Sequence, residues 1–121
     1  MAEWWVQIGD EDLEGEYEET ALIGIPHERF AERFGLSFTT NTRYGAGPAA
    51  YAIVELQSGT QFIVQHEYDH PQPGVWLLCR TDADADKQRA EFANVFGLET
   101  SDYRWIKGAD RWFDTGTGEP I

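Results

Sequence analysis

YAIVELQSGTQFIVQHEY, Tyr51–Tyr68, decides the fold. Two β-rich runs, YAIVEL (Tyr51–Leu56) and QFIVQHEY (Gln61–Tyr68), flank the turn QSGT, where Gly59 supplies a positive φ. That pattern predicts a β-hairpin. HPQPG then breaks the chain, and VWLLCR (Val75–Arg80) continues the meander as a third strand. Antiparallel pairing therefore lies at the centre of the chain, and the flanking segments must pack on it.

Working outward, TDADADKQRAEFANVFG predicts a helix with an Asp or Thr N-cap and with Asp84 and Asp86 in its first turn, where the helix dipole favours them. Ala85, the stem of Arg89, Phe92, Val95 and Phe96 form its packed stripe. Upstream, Pro26 suits a first helical position, and Phe30, Ala31 and Phe34 share one face. The two helices end alike, in FAERFGL (Phe30–Leu36) and FANVFGL (Phe92–Leu98). In each, glycine stands where a left-handed cap is needed and the following leucine can pack back on the last turn. The echo is thus two helix stops, with convergence favoured over duplication, and not a catalytic motif. WWVQI (Trp4–Ile8) reads as a first strand and YRWI (Tyr103–Ile106) as a last. ALIGI (Ala21–Ile25) reads as a buried strand or an apolar lead-in. Thr39–Pro48 is turn-rich and reads as a loop. GAGPAA (Gly45–Ala50) has neither the lysine nor the following helix of a phosphate loop. Residues 114–121 are Gly/Thr-rich and are expected to fray. The expectation is a single α+β domain over 1–121, with a mainly antiparallel sheet of about five strands and two helices packed on one face. The strands alternate imperfectly, so part of the second face should also be covered.

The 121 residues contain 22 Asp and Glu against nine Lys and Arg, for a net charge of −13. Nine of the acids, and no Lys or Arg, fall between Met1 and Glu28. Such a field repels nucleic-acid phosphate and attracts cationic proteins. Direct nucleic-acid binding is therefore not expected. No window is apolar enough to span a membrane, no signal peptide is visible, and the lone Cys79 allows no internal disulfide. These features predict a cytoplasmic protein. Cys79 lies in the apolar run VWLLC and is expected to be a buried, inert thiol.

Two clusters could carry chemistry. GDEDLEGEYEET (Gly9–Thr20) reads as an acidic loop. Asp10, Asp12, Glu14 and Gly15 fall at positions 1, 3, 5 and 6 of a calcium loop, but position 12 is Ala21 and no helix precedes it. A partner-binding face fits better: Asp10, Glu11, Asp12, Glu14, Glu16, Tyr17, Glu18 and Glu19, with Leu13 and Tyr17 as apolar anchors among carboxylates. HEYDH (His66–His70) gathers two imidazoles and two carboxylates. On an extended strand His66 and His70 lie about 13 Å apart, too far to share an ion. A metal would need the chain to turn at Asp69, with His66, Asp69 and His70 as ligands. His27 is a further candidate that nothing in the sequence brings near. The expectation is no cofactor and no catalytic residue. Five tryptophans, at 4, 5, 76, 105 and 112, are assigned mostly to the core. Trp4 and Trp5 are consecutive, so one of them faces away from it.

In size, charge and element order, including the helix and Trp-bearing strand of FANVFGLETSDYRWI (Phe92–Ile106), the chain resembles small bacterial immunity proteins of polymorphic toxin systems. That resemblance implies an inhibitor that occludes the cleft of a basic toxin such as a nuclease. The alternatives are a small metal-dependent or acid/base enzyme on the His66–His70 cluster, including Glu67, and a phage-type inhibitor that mimics DNA.

Overall fold

The computed structural model describes residues 4–41, 49–68, 74–108 and 111–121. Its elements are β1 (Trp5–Ile8), β2 (Tyr17–Ile23), α1 (His27–Phe34), β3 (Thr39–Asn41), β4 (Ala49–Leu56), β5 (Gln61–Glu67), β6 (Val75–Arg80), α2 (Ala85–Phe96), β7 (Tyr103–Lys107) and β8 (Trp112–Asp114). The class is α+β as expected, but the sheet has eight strands rather than about five. The expected count missed β3 and β8, three residues each, which are too short for a periodic signal. It also left open whether ALIGI was a strand. β2 is in fact central, and it begins inside the acidic stretch at Tyr17.

The strands run in the order β1-β4-β5-β6-β2-β7-β8, with β3 also on β4, and every pairing is antiparallel. The predicted hairpin forms β4 and β5 in the register Ile53↔Ile63. Gly59 has φ +91° in its turn.

Both helices lie on one face. Phe30, Phe92 and Phe96 join Ala21, Ile23, Val54, Phe62, Val64, Val75 and Leu77 in the larger core. Its centre is a run of rings. Phe92 stacks on Phe96 at 4.3 Å, Phe34 meets Phe96 edge-on at 5.0 Å, and Trp5 stacks on Phe96 at 5.0 Å. The two Phe-x-x-x-Phe faces thus meet each other as well as the sheet. Both helices end as predicted, at Gly35 and Gly97 in the left-handed region (φ +69° and +67°). Leu36 N–H and Leu98 N–H return to Ala31 O and Ala93 O at 3.0 and 2.8 Å. Asp84 is the N-cap of α2 rather than a first-turn residue, and its side chain accepts from the N–H groups of Asp86 and Lys87.

The opposite face carries a smaller apolar layer: Leu22, Tyr51, Ile53, Ile63, Trp76 and Leu78. Among the described residues no helix covers it. The segment after β1 packs Leu13 and Tyr17 against it, and β7–β8 add Trp105 and Trp112. The stretch expected to fray is tied back, with Asp114 N–H on Glu119 O at 2.9 Å and Ile121 N–H on Trp112 O at 2.9 Å.

Two irregularities set which side chains reach this second face. Glu19 pairs with Leu78 and Ala21 with Leu77, so Thr20 is an extra residue in β2. Its hydroxyl is buried against Leu77 O and Cys79 Sγ. Leu22 pairs with Trp105 and Ile23 with Tyr103, so Arg104 is extra in β7. Each bulge inverts the inside–outside alternation beyond it. Tyr103 therefore joins the helix-side core while Trp105, two residues later, faces the other way.

Candidate functional site: a tryptophan-lined cavity on the open face

The helix-free face of the sheet is where side chains of mixed chemistry gather. Trp76, Trp105 and Trp112 come together there from β6, β7 and β8. Trp76 meets Trp105 at 6.0 Å and 49°, and Trp112 at 5.5 Å and 75°. Non-parallel rings of this kind form a cup rather than a flat stack. They line a cavity of about 460 Å³ together with Glu19, Glu67, Arg111 and Ile121.

Glu19 and Glu67 approach from β2 and β5, on either side of β6, and hydrogen-bond to each other. Burial, then the hydrogen bond to Glu67 and its charge, push the Glu19 carboxyl from 4.5 up to about 8, with Lys107 acting the other way. Two close carboxylates cannot both ionise without strong repulsion, so at neutral pH Glu19 keeps its proton. Gln65 supports the pair from behind. It is fully buried, and its Nε2 donates to Glu67 Oε1 at 3.4 Å. Its Oε1 has no partner among the described residues. Lys107, at the edge of the group, is held by Glu18 at 3.5 Å.

The predicted partner-binding residues divide into two sets. Asp10–Asp12 form a 3-10 turn, and the segment lies across the open face as a fixed ridge. Tyr51 O–H donates to Asp10 Oδ2 at 2.8 Å. Gln61 Oε1 accepts from Glu14 N–H at 3.0 Å and from Tyr17 O–H at 3.3 Å, while its Nε2 donates to Asp12 O and Glu55 Oε1, each at 2.9 Å. Glu11, Asp12, Glu14, Glu16 and Glu18 remain exposed. Leu13 and Tyr17, expected as anchors for a partner, pack on the protein's own sheet. Burial pushes the Tyr17 phenol up to about 12, against the lowering effect of Arg80. Glu19 leaves the ridge altogether and turns into the cavity.

The histidines behave differently from expectation. His27 and His66 stack, with ring centroids 4.1 Å apart, and Tyr68 stands edge-on to both. His66 Nδ1 lies 3.1 Å from Gly74 O. Burial, and then the neighbouring His66, lower the His27 pKa. Asp69 and His70 lie outside the described residues. Among the described residues no three His, Cys, Asp or Glu side chains gather as a metal site. Cys79 is buried, and burial raises its thiol to about 11.

Sequence reasoning missed the cavity because its walls come from distant positions and the bulges that orient Glu19 and Trp105 carry no local signal. The one legible hint was an excess of tryptophan in strands that did not alternate cleanly. Comparison with known proteins finds no matching family model, no matching curated protein and no matching solved structure.

Proposed function

We propose that this protein is an acidic binding protein of the immunity or antitoxin kind, which neutralises a basic protein toxin such as a nuclease by covering its cleft. The observation that carries this reading is the ridge from Asp10 to Glu16, which is tied to the sheet by Tyr51 and Gln61 while the side chains of Glu11, Asp12, Glu14 and Glu16 are exposed. A fixed ridge of like charge has already met the cost of bringing its acids together in the fold, so little ordering remains when a cationic surface arrives. Association with such a surface should be fast and should weaken steeply with salt.

The test is co-expression with a basic toxin domain encoded beside the protein. Growth should be restored, and the purified pair should bind with an affinity that falls as salt rises. Combining Glu11→Gln, Asp12→Asn, Glu14→Gln and Glu16→Gln should weaken binding by about 2 kcal/mol or more, since rim charges contribute modestly one by one and collectively more. Unchanged affinity in that variant would exclude the ridge as the interface.

A further inference from the structure

We propose that the tryptophan-lined cavity is a receptor for a guanidinium group, bound between the Glu19–Glu67 pair and the indoles of Trp76, Trp105 and Trp112. This site is separate from the acidic ridge, and its use does not depend on the toxin-inhibitor reading.

Three observations converge on that chemistry. The first is the carboxyl pair itself. Glu19 and Glu67 are brought together from two strands that are not neighbours, and their repulsion is met by the proton that Glu19 holds and in part by Lys107. A cation placed between them would relieve it better, because both oxygens of each carboxylate could then accept. The second is the wall. Three indoles line the same cavity, and the negative face of an indole ring attracts a desolvated cation. A planar, weakly hydrated guanidinium satisfies the carboxylates and the rings together, whereas a compact, strongly hydrated ammonium satisfies the rings less well. The third is Gln65, a fully buried amide beside Glu67 and Trp76 whose oxygen has no donor among the described residues. Gln65 stands behind the cavity wall, and its amide donates to Glu67 Oε1 and so holds that carboxylate in place at the cavity.

Competing occupants fit less well. Among the described residues a metal ion finds two carboxylates here, and indoles offer no lone pair. A neutral sugar would stack on the rings but would leave the repulsion between the carboxylates unrelieved. Among the described residues the charged groups facing the pair are Lys107 from β7 and Arg111 before β8, with Glu18 holding Lys107. The pH dependence of cation binding belongs to Glu19.

The probe is Nα-acetylarginine amide, whose guanidinium stays charged throughout and which has no free amine. It should change the tryptophan fluorescence saturably. Binding expels the Glu19 proton, so affinity should climb from about pH 6 to about pH 8, by at most about tenfold per pH unit, and then level off. Nα-acetylcitrulline amide, its neutral isostere, should bind at least about tenfold more weakly. Glu19→Gln and Glu67→Gln should each lower affinity by about tenfold or more while the circular dichroism melt shows a folded protein, and neutralising Glu11, Asp12 and Glu14 should leave it unchanged. A peptide with one internal arginine that binds about tenfold tighter than the amide would identify a protein side chain as the source; equal or weaker binding would identify a small free guanidinium compound. The proposal is overturned by equal binding of the citrulline amide, by affinity that does not vary with pH, or by no saturable response.

Discussion

Glu19 connects the site to the stability of the fold. Its carboxyl is raised from 4.5 to about 8 in the folded protein, so the folded state holds this proton more tightly than the unfolded chain does. The stabilisation is therefore complete below about pH 4.5 and is lost as pH rises through about 8. A tenfold gain in proton affinity on folding corresponds to at most about 1.4 kcal/mol, and solvent screening in an open cavity reduces the total to about 1–2 kcal/mol. Urea denaturation should accordingly show lower stability at about pH 9 than at about pH 5, and Glu19→Gln should flatten that difference. Gly74 tests sterics at the same scale. It has φ +131°, and a Cβ there would lie 2.2 Å from Ile23 O, a backbone atom that cannot step aside. Gly74→Ala should cost about 3 kcal/mol or more by chemical denaturation. The Gly-Leu helix stops were readable from residue type alone because left-handed φ selects glycine. No such rule identified Gly74, whose constraint is a contact with β2, a strand far away in the chain.

At the level of elements, the two helix ends offer a controlled comparison. Gly35 and Gly97 have nearly the same φ, and a Cβ at either would meet nothing within 4 Å. Alanine at each site should therefore cost only the backbone conformation, about 1 kcal/mol, and the two costs should be equal within error by thermal or urea unfolding. A marked inequality would show that the repeated FAxxFGL pattern hides a difference in packing. α2 is further tied to the sheet by Gln88, whose side chain both accepts from Arg80 N–H and donates to Arg80 O at 3.0 Å. Arg89 adds a bond to Thr20 O and an ion pair with Asp86. Helix periodicity marked Arg89 as part of the buried stripe through its stem. The target of its guanidinium lay on β2 and could not be read locally.

For the whole molecule, the decisive feature is the phase of β2. Tyr17 and Glu19 face the open side, the extra Thr20 resets the alternation, and Leu22 then faces the open side while Ala21 and Ile23 enter the helix-side core. Inserting one residue between Ala21 and Leu22 would place either the acids or Ile23 on the wrong face along a central strand, whereas deleting Thr20 leaves Glu19 and Ala21 on the consecutive partners Leu78 and Leu77. The stability at stake is only about 5–15 kcal/mol for a whole domain, so the insertion variant should lose its near-ultraviolet circular dichroism and cooperative melt, whereas deletion of Thr20 should retain both. The hairpin, the meander strand, both helices and their C-terminal glycine caps were determined by the sequence alone, because each depends on neighbours within a turn or two along the chain, whereas Pro26 and Asp84, expected inside the first turns, are the N-caps. The acidity of the first 28 residues was equally plain. Only the tertiary structure inserted β2 between β6 and β7, stacked His27 on His66, and gathered Glu19, Glu67 and three tryptophans around one cavity. Those outcomes depend on strand order and on bulges at Thr20 and Arg104. The free energy that selects them comes from burying both faces of one sheet at once, and no local stretch of sequence contains it.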